Sequence, residues 1–190
     1  MGVILETERL ILRNYELSDF NDYWEMVSMK GVGPRAGWPA YTDKAKAYER
    51  LQYEVSKPLQ FALIYKKNNK LIGAMEIMDV KKERFTNDEI PDGSKEIGAI
   101  MSEKYWGMGL GTECLQKLIQ YCFDVLNVPA VYTCHAKANI GSGKMQEKCG
   151  LKEYSEVENF KTWIDGTTTS LIKRVMTKED YEEIYGKERK

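Results

Sequence analysis

Histidine is almost missing from this chain. His135 is the one histidine among 190 residues. With no cysteine or carboxylate at ligand spacing around it, a zinc site is excluded and no metal is expected. It reads instead as a hydrogen-bonded loop residue. Cysteine is scarce too. Cys114, Cys122, Cys134 and Cys149 form no CxxC pair and lie in apolar or helical surroundings, which suits reduced, buried thiols of a cytoplasmic protein rather than a disulfide framework. No stretch approaches the roughly 20 apolar residues that span a bilayer, so no membrane partner is expected. An excess of either charge is also lacking, at 28 Lys and Arg against 29 Asp and Glu, and with it the basic footprint of a nucleic-acid binder. The opening MGVILETERL turns acidic by position 6, and Thr7 misses the myristoylation slot, so neither a secretory leader nor a lipid anchor is expected. Repeats and low-complexity segments are absent. Length and composition, 43% hydrophobic and 30% charged, fit one domain over residues 1–190.

What is present alternates between strand and helix patterns. RLILRNY reads as a first strand, and Ser18 as the cap of a helix carrying Phe20, Tyr23, Trp24 and Val27. KGVGPRAGWPAYT reads as a loop, followed by a helix capped by Thr42 and running to about Val55. QFALIY and KLIGAMEIMDV form a hairpin around 67–70, KKERFTNDEIPDGSK an extended polar loop, and KEIGAIM a central strand. Leu115, Leu118, Ile119, Cys122 and Leu126 line one face of a long helix from Gly109. AVYTC follows as a strand, so KEIGAIM, helix and AVYTC make a βαβ unit with parallel pairing. A short helix from Ser142 to Cys149 stops at Gly150. A C-terminal hairpin turns at Asp165-Gly166, and Thr177 with Asp180 opens a last helix.

The question is posed by YWGMGLGTE, Tyr105 to Glu113, with glycines at 107, 109 and 111. They lie between a buried strand and a helix N-terminus, where successive backbone amides and the helix dipole favour an anion. Missing Cβ atoms permit positive φ and close approach of phosphate oxygens, so a diphosphate cradle is one reading and a strand-to-helix turn that binds nothing is the other. The spacing is neither GxGxxG nor GxxxxGK[ST], which sets aside a Rossmann dinucleotide site and a Walker loop.

At these residues the chain resembles the GNAT family, Gcn-related N-acetyltransferases that use acetyl-coenzyme A. Their (Q/R)xxGx(G/A) signature is matched by Trp106-Gly107-Met108-Gly109-Leu110-Gly111, with Trp106 where Gln or Arg is commonest. That departure resembles the branch of ribosomal-protein N-terminal alanine and serine acetyltransferases. TERLILRNYELSD, GWPAYTDKAKAYERLQ and ANIGSGKMQEKCGLKEYS resemble further segments of that branch, in its order. The resemblance implies an α/β (α+β) GNAT acyl-CoA N-acyltransferase fold: a mixed, mostly antiparallel sheet of about seven strands, flanking helices, and a slot where strands four and five splay apart. It places the pantetheine arm of acetyl-CoA against Ile100 and Met101, the diphosphate on the amides of Trp106, Gly107, Met108, Gly109, Leu110, Gly111 and Thr112, and Asn139, Ser142 and Lys144 on the far wall. Lys144 reads equally well as a solvated helix lysine.

Acetyl transfer to an amine requires a neutral nucleophile, a stabilised oxyanion and a departing thiolate. The resemblance points to Glu96 as general base, acting directly or through water, with desolvation raising its pKa toward the working range. Glu76 is the reserve, and a solvated strand-edge carboxylate is the plain alternative for both. An amide near Met101 would meet the oxyanion. Gln146 stands where many members have a tyrosine acid, which leaves Ser142, or a water it orients, as candidate acid. Neither Cys134 nor Cys149 has a neighbour that would activate a thiol. Trp38, Tyr41, Glu76 and the hairpin near Trp163 are the candidate acceptor pocket. The expected partner is a primary amine, a protein N-terminus or a small molecule, with a homodimer as one candidate assembly. The competing reading is a CoA-sensing module without catalysis.

Overall fold

The computed structural model describes residues 2–81, 84–85, 89–161 and 168–186. Its strands are β1 (Leu5–Glu6), β2 (Leu10–Asn14), β3 (Gln60–Tyr65), β4 (Lys70–Asp79), β5 (Lys95–Met101), β6 (Ala130–Ala136), β7 (Lys152–Lys161) and β8 (Thr168–Thr177). Its helices are α1 (Phe20–Val27), α2 (Val32–Arg35), α3 (Lys44–Val55), α4 (Leu110–Asp124), α5 (Ile140–Lys148) and α6 (Lys178–Tyr185). The strands form one sheet in the order β1-β2-β3-β4-β5-β6-β8-β7. Every pairing is antiparallel except β5 with β6. The mixed, mostly antiparallel sheet and the parallel βαβ crossover are therefore as expected. The strand count is eight rather than seven, because Leu5–Glu6 folds back on β2 through a turn closed by Thr7 N–H to Leu10 O at 3.0 Å. Two residues carry no alternation from which to read a strand.

The periodic face of α4 buries as read, while α3 buries Ala47, Leu51 and Glu54 and leaves Ala45, Tyr48 and Gln52 exposed. Cys114, Leu115, Leu118, Ile119 and Cys122 of α4 pack on Leu10, Leu12, Phe61, Leu63 and Ile97 of the sheet, and Tyr181 and Tyr185 of α6 join them. The opposite face carries Tyr23, Met26 and Val27 of α1 with Ala47 and Leu51 of α3, set against Ala62, Ile64 and Ala74. Leu51 is wholly buried, which stabilises the fold by about 1.5–3 kcal/mol for such a side chain. Among the described residues no helix is long and apolar enough to cross a membrane.

Several local expectations are corrected. α3 is capped by Asp43, whose carboxylate accepts from Ala45 N–H at 2.8 Å and Lys46 N–H at 3.4 Å. Thr42 and Asp43 are both good caps, and sequence cannot choose between neighbours. Ser18 does not cap α1; a 3-10 turn over Leu17–Asp19 leads into it, closed by a reciprocal Glu16/Asp19 capping box. The loop after α1 contains one helical turn, α2. Val32 is buried there, and a Cβ on Gly33 would lie 2.6 Å from the Trp38 ring. Pro34 is tolerated because first-turn amides need no intrahelical acceptor. His135 lies in β6, not in a loop. Trp163 and the Asp165-Gly166 turn fall outside the described residues.

Candidate active site

The site begins where two strands part. β5 and β6 pair only at Lys95 with Val131 and Glu96 with Tyr132, although β5 continues to Met101 and β6 to Ala136. Beyond Glu96, β6 keeps its ladder with β8, and β5 keeps its ladder with β4. The β5 edge from Ile97 to Met101 therefore faces an opening, with Ile100 and Met101 on it. Just past the parting, Thr133 Oγ1 is buried without a hydrogen-bond partner among the described residues, a polar atom that suits a polar group entering from the opening.

The glycine turn follows the open end of β5 and leads into α4. Gly107 and Gly109 have φ of +75° and +78°, the left-handed region that side-chain-bearing residues avoid. Gly109 is the N-cap of α4, and the first bond of the helix runs from Glu113 N–H to Gly109 O at 3.1 Å. The amides of Leu110, Gly111 and Thr112 thus emerge from an open helix end. Space is not the reason at Gly107, where an added Cβ would meet nothing within 4 Å. Gly111 has a different purpose, since its Cβ would lie 2.8 Å from Met145 Sδ; it lets α5 pack against α4. Leu110 is wholly buried, so only its amide is available, whereas Met108 is 43% exposed. Trp106 donates from Nε1 to Met101 O at 2.9 Å, and the Arg35 guanidinium lies 4.2 Å above its ring. A cation from α2 therefore flanks the turn, a feature the sequence reading missed.

On the far wall Asn139 is the N-cap of α5, its side chain accepting from Ser142 N–H at 3.3 Å. Ser142 Oγ accepts from Gln146 Nε2 at 3.1 Å, and Gln146 Oε1 lies 3.0 Å from His135 Nδ1. An amide oxygen only accepts, so His135 carries its proton on Nδ1. Burial holds the His135 pKa below its ordinary value against the opposing Gln146 bond. The chain His135–Gln146–Ser142 occupies one lone pair of Ser142 and leaves its hydroxyl proton for another acceptor. Lys144 is exposed on α5.

The carboxylates lie on the α1/α3 side. Glu96 stands opposite Met78, and Glu76 opposite Gly98, which makes the pair diagonal neighbours on one sheet face. Glu96 is 1% exposed. It pairs with Arg84 Nη2 at 2.6 Å and accepts from Lys81 N–H at 3.3 Å and from Cys134 Sγ at 3.8 Å. Burial raises its pKa, and the Arg84 charge works against that rise. Glu76 pairs with Lys57 at 2.9 Å. Trp38 and Tyr41 make an edge-to-face pair at 5.6 Å and pack beside α1. The cysteines are poor nucleophiles: burial pushes Cys134 and Cys149 up to about 12.

The structure thus sets the glycine turn after the open end of β5, Glu96 and Glu76 together on the α1/α3 face of the sheet, and Ser142 on α5 beyond β6. Arg84 was missed because nothing in KKERFTNDEI links it to a strand twelve residues on; only the tertiary fold sets it against Glu96.

Comparison with known proteins follows this geometry. The sequence model of a family described as an acetyltransferase (GNAT) domain matches residues 9–152. An uncharacterized N-acetyltransferase, p20 of Bacillus licheniformis, is 28% identical over 187 residues, covering 90% of this chain and 96% of its own. A GNAT-family acetyltransferase structure from Bacillus anthracis superposes with a TM-score of 0.80 at 18% identity, over 93% of this chain and 99% of that one. Spermidine N-acetyltransferase from Vibrio cholerae, solved with CoA and spermine, gives 0.73 at 18% identity, over 92% and 99%.

Proposed function

The chain belongs to the GNAT acetyltransferases, and from that membership we propose that it transfers an acetyl group from acetyl-CoA to a primary amine by direct attack. One observation carries the reading: the parting of β5 from β6 opens beside a helix N-terminus whose entry has positive φ at Gly107 and Gly109. In this reading the amides of 106–112 hold the diphosphate. Ile100 and Met101 offer backbone groups to the pantetheine arm, and Asn139, Ser142 and Lys144 line the other wall. When bound, acetyl-CoA supplies a thioester carbon open to attack by nitrogen. Glu96 holds a proton-accepting oxygen on the acceptor side, and Ser142 holds a donor proton for the departing sulfur. Glu76, Trp38 and Tyr41 border the amine. Protonated thiols at Cys134 and Cys149 favour direct attack over an acyl-cysteine route.

Thiol release tests this. With acetyl-CoA and a panel of N-terminal peptides, polyamines and amino compounds, at least one amine is expected to release CoA well above background. A second reading, a CoA-binding module without turnover, draws on the sealing of Glu96 under Arg84. Tight CoA binding with no thiol release from any amine would establish that reading and defeat the first.

Arg84 gives a pH test. Burial raises Glu96 and Arg84 is the foremost influence against that rise, so Arg84→Met leaves only Lys81 to oppose burial and the carboxyl holds its proton to higher pH. A general base must be ionised, so the acidic limb of kcat/KM is expected to move to higher pH in this variant. An unmoved limb would remove Glu96 from that role.

A further inference from the structure

Arg9 lies in the TERLILRNYELSD segment, where the sequence gives it no role, and it stands 104 positions from the acid it grips. Its backbone N–H donates to Glu113 Oε1 at 2.9 Å, its Nε to Glu113 Oε2 at 2.6 Å, and its Nη1 to Met108 O at 2.9 Å. Its own carbonyl accepts from Lys66 N–H at 3.0 Å, and the next residue, Leu10, is wholly buried. The guanidinium therefore projects from a fixed base.

Two consequences follow. The described residues contain no cis peptide bond, and in a trans peptide the carbonyl and the next amide point to opposite sides. A guanidinium holding Met108 C=O therefore turns Gly109 N–H away from Arg9. Glu113 is also the acidic residue in the first turn of α4. A carboxylate there suits the helix dipole but repels an anion at the same end. Arg9 neutralises that charge with two bonds, one of them charge-assisted.

We infer that Arg9 is a positioning residue for the diphosphate of CoA: it orients the Met108–Gly109 peptide and cancels Glu113 at the anion-binding helix end. This rests on the acetyl-CoA reading above. Arg9→Met is expected to raise the CoA dissociation constant and the KM for acetyl-CoA about tenfold, with kcat at saturation within about twofold. In Arg9→Met/Glu113→Gln the stray charge is gone but Met108 O is still unheld, so affinity is expected to recover only in part. Arg9→Lys keeps the charge, yet one ammonium cannot serve both partners in the geometry of a planar fork. It is expected to weaken CoA several-fold and also serves if the Met variant does not fold.

Wild-type CoA affinity in Arg9→Lys or in a folded Arg9→Met would overturn the inference. Full recovery in the double variant would reduce Arg9 to a neutraliser and overturn the orienting role. A parallel fall in kcat and melting temperature would make Arg9 a brace of the fold and overturn both parts. Wild-type protein that binds no CoA by calorimetry would instead strike the reading on which the inference rests.

Discussion

Replacing Glu96 by Gln is expected to lower kcat by about two to three orders of magnitude while the CoA dissociation constant stays within about twofold. The asymmetry follows from position. Glu96 lies on the last rung before β5 and β6 part and faces the α1/α3 side, whereas the glycine turn sits at the N-terminus of α4, which packs on the other face. Gln keeps an oxygen for the Lys81 amide but cannot accept the proton of an ammonium. It also leaves Arg84 without its ion-pair partner, a loss of about 1–3 kcal/mol for a charged hydrogen bond. The melting temperature should therefore fall, and kcat should be read well below it. A Glu96→Gln enzyme with wild-type kcat would place the base elsewhere. Glu76, on the neighbouring strand β4 and paired with Lys57, would then be next to test.

Gly109→Ala is expected to weaken CoA binding by ten- to a hundredfold, because a Cβ at φ of +78° costs about 1–2 kcal/mol and the relaxed turn misaims the amides beside it. Space is not limiting, since the nearest atom to that Cβ is Arg9 Nη2 at 3.5 Å. Gly109→Asn, which tolerates the left-handed region better, should fall between. Gly111→Ala is the contrast. Its Cβ would press on Met145 Sδ at the end of a flexible side chain, so it should cost some stability and leave CoA affinity within about threefold. Equal affinities for Gly109→Ala and wild type in equilibrium binding would refute the cradle. A larger loss at 111 than at 109 would mean that α5 packing, not backbone orientation, governs the site.

These variants separate effects that one glycine-rich string hides. From YWGMGLGTE alone the glycines look equivalent. In the fold, 107 and 109 are there for backbone angle and 111 for the approach of a neighbouring helix. Similar ambiguity marks the caps. Thr42 and Asp43 are adjacent and chemically fit, and the chain entering α3 selects the second. Gln146 stands in place of a tyrosine, and only its contacts with His135 and Ser142 reveal what it holds.

Local patterning was sufficient for the elements that depend on it. Helical spacing marked the buried face of α4, alternation and turn residues marked the β3–β4 hairpin, and a capping box marked the start of α6. Strand, helix and strand in succession dictated the parallel pair, because a crossover of that kind has essentially one hand and one outcome. These are short-range matters, settled by which side chains recur and which backbone angles they permit. The partners of the charges were not legible. Arg9 with Glu113, Arg84 with Glu96, Arg35 over Trp106 and the serine network join segments whose nearness exists only after the sheet has formed. Sequence by itself determined the family, the order of the longer strands and helices and the place of the glycine turn. The tertiary structure decided which cation stands on which carboxylate and where β5 leaves β6, because those depend on distances between parts of the chain that no local spacing encodes.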